Sequence, residues 1–114
     1  MKFKHQIKNQ VLTLSLQGDL IGEDNGMDII AMINDHIQNG VRSCIIDISG
    51  LRYINSSGIG VLITILTKFR NKGGEVCLLK PSENVQKLLI ITKLNAIFQI
   101  AGSEEEALEV LKAA

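Results

Sequence analysis

Hydroxyl, amide and glycine residues crowd together at Tyr53-Ile54-Asn55-Ser56-Ser57-Gly58-Ile59-Gly60, between two apolar stretches. The stretch before it, residues 43–48 (SCIIDI), is nearly continuous and β-branched, which predicts a strand covered on both faces. The stretch after it carries Ile59, Leu62, Ile63 and Leu66 at helical spacing, which predicts a helix over 57–71 with those four side chains inward. In a parallel sheet such a strand-to-helix joint lies at the carboxyl end of the strand, where α/β proteins place ligands. The free amides and dipole of a helix start favour negative charge, so a phosphate on a serine here meets compatible donors. The same residues also suit a purely structural role. Serine is a favoured N-cap whose removal costs about 1 kcal/mol, and either Ser56 or Ser57 can fill that position. One serine suffices for the cap, so the two roles are compatible.

Other chemistries find no support in the spacing. Asn55-Ser56-Ser57-Gly58 lacks the first glycine of a G-x-S-x-G nucleophile elbow. His5 and His36 would have to supply its base, yet neither follows a strand end, and His36, amid Asn34, Asp35 and Gln38, is expected on a solvated helix face. Gly58-Ile59-Gly60 is followed by no lysine in a phosphate-loop frame and forms no G-x-G-x-x-G. Asp19, Glu23, Asp24 and Asp28 match no calcium loop. They suit either the first turn of a solvated helix, through its dipole, or a recognition surface for a basic patch on a partner. Cys44 and Cys77 sit in separate apolar runs without a CxxC, and are expected to act as small buried hydrophobes in a reducing compartment. No catalytic residue, cofactor or metal is expected, and the spacing does not favour an enzyme.

The elements that must position the loop follow from periodicity. Residues 3–7 and 11–17 alternate, with Lys8-Asn9-Gln10 between them, and predict a hairpin that Gly18-Asp19 ends. Ile29, Ile30, Ile33 and Ile37 mark a helix over 24–39 that stops at Gly40. Beyond the loop, residues 49–55, come the helix already described, closed by Gly73-Gly74, and a short buried strand at 75–79. Pro81-Ser82 opens a helix carrying Val85, Leu88 and Leu89, and residues 96–100 form a last strand. Ser103 and Glu106 make a capping box for a final helix with Ala107, Leu108 and Leu111 inward. The order is β-β-α-β-α-β-α-β-α, which predicts an α/β fold with a mixed, largely parallel sheet of four to five strands and about four helices.

With 114 residues, 46% apolar and 21% charged, the chain suits one domain over 1–114. Twelve basic and twelve acidic side chains leave no positive excess, which argues against nucleic acid. The first ten residues have no apolar h-region, and the longest greasy segment, 59–66, is too short for a bilayer. A cytoplasmic chain without membrane insertion is expected, monomeric when free.

The order of elements and the loop together resemble a STAS domain, and most of all the stand-alone bacterial anti-sigma factor antagonists. The resemblance rests on Gly18-Asp19-Leu20, the strand ending Ile46-Asp47-Ile48, the run Leu51-Arg52-Tyr53-Ile54-Asn55-Ser56-Ser57-Gly58-Ile59-Gly60-Val61-Leu62, then Gly73-Gly74-Glu75-Val76, Pro81-Ser82-Glu83-Asn84-Val85 and Ile97-Phe98. It implies a partner that is both anti-sigma factor and serine kinase, of the histidine-kinase-like ATPase fold, held by the unphosphorylated chain and released on phosphorylation. It also implies a PP2C-type phosphatase that resets the cycle. The phosphorylated position corresponds to Ser56, with Asp19, Ile21, Asn55, Ser57 and Gly58 joining it at the partner-binding surface. Two residues depart from the pattern: Asn55 stands where an aspartate often precedes the phosphoserine, and Ile21 where many antagonists have the aspartate of Gly-Glu-Leu-Asp. The alternative within the same family is a constitutive subunit that binds the ATPase of an ABC-type lipid transporter and needs no phosphate cycle.

Overall fold

In the computed structural model, which describes residues 2–113 apart from the side chains of 22–25 and 113, the chain begins with the expected hairpin. Strand β1 (Lys2–Lys8) pairs antiparallel with β2 (Val11–Leu20), and Asn9 and Gln10 at the turn both take positive φ, as primed hairpin turns require. Leu12, Leu14 and Leu16 are buried on one face of β2, as their alternation predicts. Helix α1 (Gly22–Gln38), β3 (Ser43–Ile54), α2 (Ser56–Arg70), β4 (Glu75–Leu79), α3 (Glu83–Ile91), β5 (Gln99–Ala101) and α4 (Glu104–Ala113) follow. The sheet order is β1-β2-β3-β4-β5, parallel throughout except for the first pair.

Side chains from the helices α1, α2 and α3 bury a common core with Leu14, Ile46, Ile48 and Leu78. Alternate residues of the same strands, Ile45, Cys77 and Leu79, point the other way and pack with Ala107 and Leu111 of α4. Both cysteines are buried free thiols, as expected. Two-sided burial explains why β3 and β4 read as unbroken apolar runs.

Several boundaries differ from the sequence reading. Residues 49–55 are not a loop, because β3 continues to Ile54, and β2 does not stop at Gly18-Asp19 but runs to Leu20. The two extensions stay paired through two register shifts, and Gly18, at φ 96°, supplies the conformation that a bulge needs. The bulges break the period of two, which is why Leu51 and Ile54 are buried at a spacing that does not look like a strand. On α2 the inward face is Gly58, Leu62, Ile65, Leu66 and Phe69, while Ile63 is 38% exposed and Ile59 half-buried. Ile59, Val61 and Ile63 flank the buried stripe of this helix, so its sequence fits more than one apolar face. The last strand starts at Gln99 and not at residue 96, because Lys93 at φ 63° ends α3 and a 3-10 turn, Leu94–Ala96, inserts Leu94 into the core. In the capping box, the Glu106 amide donates to Ser103 Oγ at 3.1 Å, but its carboxylate accepts from the Gly102 amide, one residue upstream of the expected one.

Candidate functional site

The extended β2–β3 pair delivers the serine loop to one edge of the helical layer. Ile54 is buried, and the next amide, that of Asn55, donates to the Leu20 carbonyl at 3.2 Å, so the two strand ends remain tied together at the site. Asn55 then turns the chain. Its backbone is extended, its side-chain Oδ1 accepts from the Gly58 amide at 2.8 Å, and its carbonyl accepts the first helical bond from Ile59 at 2.9 Å. Asn55 is therefore the N-cap of α2, in place of the Ser56 or Ser57 expected from sequence. Asparagine ranks with serine as a cap, and its carboxamide reaches the third amide from the preceding residue.

Giving the cap to Asn55 leaves Ser56 at the first position of the helix, exposed, and its hydroxyl has no hydrogen-bond partner among the described residues. Ser57 is exposed beside it. Gly58 is buried, because the start of α2 lies directly against the end of β2; a β-carbon there would strike the Leu20 carbonyl oxygen and stand 3.0 Å from Ile54 Cγ2. The glycine of the Ser-Ser-Gly run is thus fixed by packing, which the sequence had not disclosed. No acidic residue lies in the first turn of α2, so nothing within it opposes a negative group at Ser56.

Asp19 and Ile21 come from the other strand end. Asp19 pairs with Arg52 at 3.3 Å, both exposed, a surface contact worth less than about 1 kcal/mol. Sequence reasoning missed Arg52 as part of this surface; pairing of Asp19 with Tyr53 carries it there, and that pairing was hidden while 49–55 read as a loop. Ile21 is the half-buried N-cap of α1 and provides no side-chain cap bond. Of the remaining acidic cluster Asp28 is exposed, while the side chains of Glu23 and Asp24 lie outside the described residues. Between α1 and α2 runs a groove of about 500 Å³ lined by Gly26, Met27, Ile30, Ser57 and Val61 among others, with Met27 87% exposed. Asp19, Ile21, Asn55, Ser56, Ser57 and Gly58 are therefore brought to one end of the molecule, where Leu20 meets Asn55.

Among the described residues no base stands within hydrogen-bonding reach of the Ser56 hydroxyl, and no group of three or more His, Cys, Asp or Glu side chains is placed to hold a metal. His36 lies fourteen residues into α1, about 21 Å from its start at about 1.5 Å per residue. It is not on a solvated face as expected: it is half-buried and hydrogen-bonded to His5 at 3.1 Å. Among the described residues no helix is long and apolar enough to cross a membrane.

The comparisons agree with this architecture. The STAS domain family model matches residues 2–107. The Thermotoga maritima protein TM1081 is 26% identical and superposes with a TM-score of 0.89, covering 100% of this chain and 91% of that one. The anti-sigma F factor antagonist of Paenibacillus polymyxa is 29% identical over 106 residues, 90% of this chain and 87% of the relative. The anti-sigma factor antagonist SpoIIAA, at 24% identity a likeness of fold, superposes in its unphosphorylated form with a TM-score of 0.82 over 99% of this chain and 98% of that one. The phosphorylated Bacillus form gives 0.73, over 95% and 97%. With a family match over residues 2–107, nearly its whole length, the chain belongs to the STAS domain family.

Proposed function

We propose that this chain is an anti-sigma factor antagonist, a regulatory binding module whose grip on its partner is switched by phosphorylation of Ser56. The observation that carries the reading is the division of labour at the start of α2: Asn55 makes the cap, so the Ser56 hydroxyl is exposed and unengaged, and its modification disturbs no bond that holds the fold. The relatives described as anti-sigma factor antagonists, and the neighbour solved with and without phosphate, support the same direction.

The unphosphorylated surface, Asp19, Ile21, Asn55, Ser56 and Ser57, binds an anti-sigma factor that is also a serine kinase of the histidine-kinase-like ATPase fold, while Gly58, expected from sequence to join it, is buried and only lets the helix start approach β2. That kinase brings its own nucleotide and magnesium. Phosphate adds about 1.5 to 2 negative charges at neutral pH. Within the chain the helix dipole and first-turn amides accommodate them, and Asn55, being uncharged where an aspartate would repel the phosphate, makes this easier. Against the partner, the same charge must be desolvated in the interface, which favours release. A PP2C-type phosphatase restores the binding form. Such a cycle runs on ATP, which puts the proposed site of action in the cytoplasm.

Affinity capture tests the reading. Tagged Ser56→Ala protein, which cannot be released by phosphorylation, is expected to retain a kinase-like ATPase from its own cells that the wild-type chain yields once ATP is added. Recovery of a transporter ATPase, equally from wild type and variant and indifferent to ATP, would move the assignment to the constitutive transporter subunit.

A further inference from the structure

On β1, Phe3, His5 and Ile7 pair across the hairpin with Leu16, Leu14 and Leu12, all three of which are buried beneath the helical layer. Strand side chains alternate, so His5 points to the face that α1 covers, while Lys2, Lys4 and Lys8 occupy the alternate positions. On α1 the buried stripe is Ile29, Ile33 and Ile37, and His36 sits at its edge. The two rings meet at this seam. His5 Nδ1 and His36 Nε2 are 3.1 Å apart, with ring centroids separated by 5.2 Å and planes inclined at 71°. Phe3 lies beside the His5 ring at a centroid distance of 6.5 Å.

That separation suits one hydrogen bond, and it equally suits two ligands of one ion. With metal–nitrogen bonds of about 2.0–2.1 Å, neighbouring ligands stand roughly 3.4 Å apart on a tetrahedral centre and roughly 2.9 Å apart on a square-planar one. The observed 3.1 Å falls between these values. We propose that His5 Nδ1 and His36 Nε2 form a two-histidine chelate for a divalent transition metal ion that prefers imidazole (zinc, nickel or copper), clamping β1 to α1.

The proton balance is simple. In the hydrogen-bonded pair, one facing nitrogen carries a proton and the other accepts it. Binding requires both facing nitrogens as lone pairs, so that proton exchanges through solvent to the far nitrogen of its own ring. Both rings stay neutral. Neither far nitrogen has another hydrogen-bond partner among the described residues, so each is free to carry it. Among the described residues no third His, Cys, Asp or Glu completes the set, and water fills the remaining positions, so affinity is below that of a closed four-ligand site. Cys44 and Cys77, both buried, cannot compete for the ion.

Chelator-stripped full-length chain titrated with zinc chloride, followed by calorimetry and by imidazole nitrogen resonances, tests the site. One ion per chain is expected, with the His5 Nδ1 and His36 Nε2 resonances shifting together. His5→Gln and His36→Gln are each expected to lose at least about tenfold in affinity. His5 is exposed on an edge strand, so its variant keeps the fold, which circular dichroism checks for both. The absence of saturable binding below millimolar zinc overturns the proposal, as does one-to-one binding that survives either substitution.

Discussion

Two glycines two residues apart on α2 ought to respond to alanine in opposite directions. At Gly58 an added β-carbon strikes the Leu20 carbonyl oxygen and comes within 3.0 Å of both the Leu20 carbonyl carbon and Ile54 Cγ2. The obstacle is backbone and not the tip of a flexible side chain, so relief requires α2 to move away from the end of β2. Overpacking of this kind costs about 1–3 kcal/mol, and the upper part of that range applies where main chain is struck. Alanine returns up to about 1 kcal/mol of helix propensity, leaving a net loss of about 2 kcal/mol for Gly58→Ala. At Gly60 nothing lies within 4 Å of the added atom and the residue is exposed, so only the propensity gain remains, about 1 kcal/mol in favour of Gly60→Ala. At roughly 4 °C per kcal/mol for a domain of this size, melting falls by about 8 °C in the first variant and rises by about 4 °C in the second. Urea denaturation at unchanged m-value gives the same comparison at 25 °C. A neutral or stabilised Gly58→Ala would refute the close approach of α2 to β2 on which the shape of the site rests.

Asn55→Ala is expected to lose about 1 kcal/mol with the Gly58 amide left uncapped, whereas Asn55→Asp keeps the cap, and urea midpoints will separate the two. Burial, the neighbouring His5 and, in the opposite sense, Asp35 leave the His36 pKa below its ordinary 6.5. The unfolded chain therefore binds more protons than the folded one between that lowered value and 6.5. Stability, measured by urea titration in chelator, should accordingly be full above 6.5, fall as pH drops through this window and level off below it, with a shallower fall in His36→Gln. Burial raises the Cys77 thiol to about 11 and Cys44 further still, so neither should react with a thiol reagent at pH 8 until the chain is unfolded.

How much of this was legible beforehand depended on whether the signal was local. Leu12, Leu14 and Leu16 announce a half-buried strand by alternation alone, and the unbroken runs around Ile46 and Leu78 announce strands covered twice. The position of the serine loop at the end of a parallel strand followed from element order. What stayed hidden was set by contacts between distant segments. Bulged pairing of Gln17, Gly18 and Asp19 with Gly50, Leu51 and Tyr53 turns an apparent loop into strand, and no window on either segment reveals it. The sequence offered Ser56 or Ser57 as the cap of α2, but Asn55 caps as strongly, and the end of β3 at Ile54 puts it there. Met27 and Ile63 fit a helical core pattern as well as their neighbours do, but α1 and α2 turn both outward. Likewise His36 is indistinguishable from a solvated histidine until β1 brings His5 against it.

The central claim is that Ser56 is the switched residue. Intact-mass and peptide mass spectrometry of the chain isolated from its own cells, during growth, starvation and stress, with Ser56→Ala alongside, addresses it most directly. A phosphate on the peptide containing Ser56 in at least one condition, absent from the variant, is the expected result. Complete absence of phosphate in all three, or a phosphate that persists in the variant on Ser57, would contradict the account.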